Sequence, residues 1–175
     1  MPVRSKAVGS CLAHSLMNER PQGVLLRANA TVAGDAPATH QRCRDLLLVV
    51  LDFLPHPPTF PTLQEWHQVL PQWFLHACGP EPSRAEEEAW LQQWRAVPPH
   101  QQRQLEQQRP WTVADWLYWF DPASDVERSW RWWDGGVVDD DHFWIDVDVM
   151  EDPAALGTLE WLLRAAGATE IDLDY

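Results

Sequence analysis

The spacing of apolar positions divides the chain into a helical stretch and a strand-rich one. Arg44 to Leu54 reads Arg-Asp-Leu-Leu-Leu-Val-Val-Leu-Asp-Phe-Leu, apolar on every side, which predicts a buried helix closed by Pro55, Pro57, Pro58 and Pro61. Thr62-Leu63-Gln64-Glu65 has the spacing of a capping box, in which each end residue's side chain accepts from the other's backbone N–H. It opens a short helix through Leu70, and Pro71 suits the first turn of the next, Gln72 to Cys78. Ser83-Arg84-Ala85-Glu86 repeats the box, with Glu86 to Glu88 near the positive end of the helix dipole, and that helix stops at Pro98-Pro99. The Gln-rich run from His100 to Arg109, with Leu105 its one strong apolar residue, predicts an exposed helix. Thr112-Val113-Ala114-Asp115 starts another, closed by Asp121-Pro122. Trp90 with Trp94, and Trp116 with Trp119 and Phe120, fall on shared helix faces and are expected in the core.

The period then changes to two. Ser129 to Trp133 reads as a strand, Gly135-Gly136 as a turn, and His142 to Met150 as a strand with Phe143, Ile145, Val147 and Val149 on one face. His142, Trp144, Asp146 and Asp148 take the other. Pro153 suits a helix start, Leu156, Leu159, Leu162 and Leu163 form its apolar stripe, and Gly167 its stop. Thr169 to Leu173 is the last strand, with Ile171 and Leu173 inward and Glu170, Asp172 and Asp174 outward. The expected class is α+β: a helical N-terminal portion packed with a small, mainly antiparallel C-terminal sheet, a ββαβ unit. Residues 1–40 contain no Trp, Phe or Tyr and are expected to be a flexible tail with at most a short helix at Cys11 to Glu19. Residues 41–175 are then one α+β domain, helical over 41–121 and ββαβ over 128–174.

Charge sharpens this picture. The formal net charge is -13, but residues 1–44 carry six bases against two acids, which leaves seven bases against twenty-four acids in the remainder. Such a field repels nucleic acid and anionic membranes, so direct binding to either is not expected, and it attracts cationic partners. The composition, rich in Ala, Pro, Trp and Arg with a single Lys, suggests a high-GC bacterial source. Three widely spaced cysteines, Cys11, Cys43 and Cys78, fit free thiols in a reducing compartment. Val8-Gly9-Ser10-Cys11 lacks the apolar stretch a signal peptide needs, and no run is long enough to span a membrane. The protein is therefore expected to be soluble and cytoplasmic.

Candidate chemistry centres on aromatic and acidic residues. Seven of the twelve tryptophans lie between Trp111 and Trp144. Trp130 and Trp132 share one strand face and Trp133 the other, so at least one indole is expected at a surface, with Trp144 beside it as an interface anchor. If the last strand pairs with the His142 strand, Asp146, Asp148, Glu170, Asp172 and Asp174 share one surface, where opposed carboxylates repel by up to ~1 kcal/mol per pair. Arg128 and Arg131, a basic protein partner or a hard cation are the candidates to compensate; the plain alternative is a solvated face that discourages edge pairing.

Asp139-Asp140-Asp141-His142 reads as a solvated loop, because adjacent residues cannot all converge on a metal. His67 and His76 near Cys78 lack the orienting group a thiol nucleophile needs. Neither a cofactor nor a metal is called for by any motif, and the common enzyme signatures are absent from the sequence. The leading expectation is a small acidic intracellular binding protein, immunity-protein-like or antitoxin-like, that neutralises or regulates a basic protein partner. Its surface would comprise Trp130, Trp132, Trp133, Trp144, Asp146, Asp148, Asp172 and Asp174, and charge reversal at Asp146 and Asp148 would abolish the complex. The alternatives are a small-molecule binder or enzyme with a Trp-lined pocket and Asp and His acid-base groups such as His142, and a mimic of DNA charge.

Overall fold

The computed structural model describes residues 21, 23–53, 60–124, 129–150 and 156–174. The expectations placed on Cys11 to Glu19, Pro55, Pro57, Pro58, Arg128 and Pro153 lie outside the described residues. The architecture is α+β, with a helical portion preceding a C-terminal antiparallel sheet region. Elements run β1 (Val24–Val32), α1 (Ala36–Phe53), α2 (Leu63–Val69), α3 (Gln72–Ala77), α4 (Arg84–Ala96), α5 (Pro99–Gln108), α6 (Val113–Tyr118), β2 (Trp130–Val137), β3 (His142–Val149), α7 (Gly157–Ala166) and β4 (Ala168–Asp174). The chain divides into two compact units, one drawn from Met1–Cys43 with Arg128–Tyr175 and the other Arg44–Glu127.

The first unit is built on a four-stranded antiparallel sheet in the order β2-β3-β1-β4. The tail expected over residues 1–40 is corrected in its second half: β1 is a central strand, and α1 starts at Ala36. Its alternation, Leu26, Ala28, Ala30 and Val32 buried against exposed Arg27 and half-buried Asn29 and Thr31, is that of a strand with one core face. Small side chains carry that alternation, so the absence of aromatics was a poor guide. The inner face continues with Phe143, Ile145 and Val147. Two helices meet this face. The His40 ring on α1 lies 5.6 Å from Trp132 and 5.7 Å from Phe143, and Trp130 Nε1 donates to Thr158 Oγ1 of α7 at 2.9 Å. Gly167, at φ 123°, ends α7 in a conformation that disfavours a side chain.

Gly135 and Gly136 correct a second expectation, since they lie inside β2 rather than in a turn. A Cβ on Gly135 would stand 2.6 Å from His40 Nε2 and 2.8 Å from Trp132 Cζ2, and one on Gly136 would stand 3.1 Å from Trp144 Cζ2. The glycines make room for rings on both faces. The turn falls at Val138 to Asp141 instead, where Asp139 Oδ1 accepts from the backbone N–H groups of Asp141 (2.9 Å) and His142 (2.8 Å) and contacts His142 Nδ1 at 2.7 Å. Those contacts, led by the Asp141 N–H, hold the Asp139 carboxyl below its ordinary value.

The second unit is helical. Its core is an aromatic chain in which Phe74 lies 4.8 Å from Trp116, and Trp116 lies 4.6 Å from Phe120. Trp66 and Trp116 are fully buried; indoles bury roughly 150–250 Å² each, worth at most about 4–6 kcal/mol at ~25 cal/mol per Å². Capping boxes open α2, α4 and α6 at Thr62, Ser83 and Thr112. Trp90, Trp94 and Trp119, expected in the core, are instead half-buried, and α4 has no buried residue.

Candidate functional site

The outer face of the sheet is where the sequence placed a binding surface, and its composition follows from strand alternation. Arg131 and Asp134 come from β2, Trp144, Asp146 and Asp148 from β3, Leu25, Arg27, Asn29 and Thr31 from β1, and Glu170, Asp172 and Asp174 from β4. A bulge between Trp132 and Asp134 takes Trp133 out of register. It brings the Trp133 ring within 5.8 Å of the Arg131 guanidinium carbon.

The expected pairing of the last strand with β3 is corrected by β1, which lies between them. The interposition changes the electrostatics. Arg27 stands opposite Asp146 on one side and Asp174 on the other, so a guanidinium separates two carboxylate columns. Its Nε and Nη2 donate to Asp146 Oδ1 and Oδ2 at 2.7 and 2.9 Å, and its guanidinium carbon lies 3.9 Å from the centroid of Trp144. The hydrogen bonds to Asp146 are the chief reason Arg27 is held more firmly in its charged form. Burial opposes this, and attraction to Asp146, Asp134 and Asp174 adds to it. Asn29 Nδ2 donates to Asp174 Oδ2 at 2.8 Å.

Asp148 is enclosed. Its Oδ1 accepts from the Gly23 N–H at 2.8 Å and its Oδ2 from Arg131 Nε at 2.9 Å, with no accessible surface left. Three site residues are therefore corrected: Asp148 is a buried ion-pair partner, Trp130, 3% exposed and bonded to Thr158, is a core residue, and Trp132 is on the opposite face of the sheet. Trp132 lies half-buried on the inner face beside His40. Of the expected surface, Trp133, Trp144, Asp146, Asp172 and Asp174 share the outer face, with Trp133, Trp144 and Asp146 half-buried and Asp172 and Asp174 exposed. Arg27 and Asn29 were missed because they sat in the supposed tail; the alternation around them was the signal that would have found them.

Cation neutralisation on this face is incomplete. Arg27 and Arg131 are spent on Asp146 and Asp148, while Asp134, Glu170, Asp172 and Asp174 remain exposed. Among the described residues, no group of three or more His, Cys, Asp or Glu side chains is placed to hold a metal ion, and no helix is long and apolar enough to cross a membrane. Cys43 is buried, and desolvation pushes its thiol up to about 12, which keeps it protonated at neutral pH. His67 and His76 are exposed and Cys78 is half-buried.

No family model matches the chain. Among curated proteins none matches it either, and the same holds for solved structures.

Proposed function

We propose that this is a binding protein that engages a basic protein partner through the outer face of its sheet. The partner's Lys and Arg side chains would meet Asp134, Glu170, Asp172 and Asp174, while Trp133 and Trp144 provide flat apolar contact between the two acidic margins. The observation that carries the reading is the surplus of carboxylates on a face whose own guanidiniums are already committed. Arg27, over the Trp144 ring, and Arg131, near Trp133, are held in place by Asp146 and Asp148, so the aromatic centre is preorganised and loses little side-chain freedom on association. The exposed acids at the margins add long-range attraction, which acts on the association rate.

The test is capture by the immobilised full chain from a lysate of its source cells, at low and moderate salt, with wild type beside a Glu170→Lys, Asp172→Lys variant. Both residues are exposed on β4, so reversal leaves the inner face untouched. A basic protein held by wild type, weakened by salt and bound roughly tenfold or more weakly by the variant is the expected result. Capture unaffected by the reversal, or the absence of any basic partner, contradicts the proposal.

A further inference from the structure

We infer that the helical unit carries a separate site for an organic cation, an alkylated ammonium group, in a cleft formed by α4, α5 and α6. The cleft has a volume of about 280 Å³, just below the roughly 300–1,000 Å³ of ordinary small-molecule sites, which suits a headgroup rather than a large ligand. Its lining includes the aromatic residues Trp90, Trp111, Tyr118 and Trp119 and the acidic residues Glu106 and Asp115. Ring faces and carboxylates together form the environment that a soft, weakly hydrated cation prefers.

The charge balance decides against an anion. Arg109 also lines the cleft, but its Nη1 and Nη2 donate to Glu87 Oε1 and Oε2 at 3.2 and 2.7 Å, and its guanidinium carbon stacks 4.6 Å from the Trp90 centroid. Its one positive charge is thus matched by Glu87, with Asp115 3.8 Å away as a second carboxylate. Glu106 accepts from Trp94 Nε1 at 2.8 Å, a neutral donor that fixes the carboxylate without cancelling its charge. Asp115 closes the capping box of α6 through the Thr112 backbone and shares Arg109 with Glu87, so one guanidinium answers two carboxylates while Glu106 keeps its charge. The cleft therefore retains negative charge beside Trp111, Tyr118 and Trp119, in addition to the Trp90 ring on which Arg109 is stacked. A neutral sugar would use the rings but gain nothing from that charge.

The probe is choline chloride, titrated into the full chain against sodium chloride at matched ionic strength and followed through the indole N–H signals in two-dimensional NMR. Saturable shifts at Trp90, Trp111 and Trp119, with half-saturation on the order of 1 mM, are expected, and none with the neutral carbon isostere of choline. Glu106→Gln retains an acceptor for the Trp94 indole and should weaken choline roughly two- to five-fold. The inference is overturned if no shift saturates, if the isostere or a neutral sugar binds as tightly, or if a folded Glu106→Gln variant binds choline unchanged. Should that variant fail to fold, the wild-type contrast between choline and its isostere still decides. This site is independent of the sheet face, so either proposal can fail alone.

Discussion

The sheet unit and the helical unit use the same three groups in different settings. On the sheet, Arg27 stacks on Trp144 and pairs with Asp146, and Arg131 lies near Trp133 and pairs with Asp148; in the helices, Arg109 stacks on Trp90 and pairs with Glu87. In each case a guanidinium lies over an indole ring while a carboxylate neutralises it. The surroundings differ. The sheet triads lie on an open pleated face with further acids at its margins, which suits a broad basic surface, whereas Arg109 and Trp90 of the helical triad line a cleft, which suits a small cation. An arginine count therefore says little about what either region attracts, because these arginines are already committed and the leftover carboxylates set the field.

Three changes test that comparison within the folded molecule. Asp148 has no accessible surface, while Asp146 keeps 15% of its side chain exposed. Asp148→Ala leaves Arg131 without its carboxylate and should cost about 3–5 kcal/mol, against ~1 kcal/mol or less for Asp146→Ala, read from urea unfolding midpoints. Equal effects would show that the two sheet triads do not differ in burial as described. Next in size is Gly135→Ala, whose Cβ would meet the His40 and Trp132 rings. A loss of about 1–3 kcal/mol is expected, with the Trp132 indole signal displaced, and an unchanged midpoint would contradict the tight packing on the inner face.

The smallest effect concerns pH. Glu65 and Glu86 are held below their ordinary value of 4.5, chiefly by hydrogen bonds from the Thr62 and Ser83 side chains respectively. Groups depressed in the folded state add stability that is present above the unfolded value and lost as pH falls through the folded one. Acidification below about 4.5 should therefore fray the starts of α2 and α4, and Glu65→Gln with Glu86→Gln should flatten that part of the pH profile. Amide exchange at Trp66 and Glu87, near those helix starts, is the readout.

Much of the fold was legible because local chemistry specified it. The three helix starts at Thr62, Ser83 and Thr112, the inward alternation of Phe143, Ile145 and Val147, and the Gly167 stop each depend on neighbours in sequence. What failed to show depended on partners far away. Leu26, Ala28 and Ala30 look unremarkable until β3 and β4 are placed on either side, and Gly135-Gly136 looks like a turn until His40 and Trp144 fill the space above and below it. The candidate site was legible in part for the same reason. Trp133, Trp144, Asp172 and Asp174 follow from strand period, but the burial of Asp148 depends on Arg131 and Gly23, and the Arg27 column depends on where β1 enters the sheet.

The most direct test of the central claim separates position from charge. Glu170→Lys with Asp172→Lys is compared with Glu88→Lys and Asp140→Lys, which make the same change in net charge at exposed positions on α4 and in the β2–β3 turn, outside the strands of the sheet. Affinity for the captured basic partner should fall roughly tenfold or more in the sheet variant and stay near wild type in the other. Equal loss in both would mean that net charge alone drives association, and the outer face of the sheet would no longer be the binding surface.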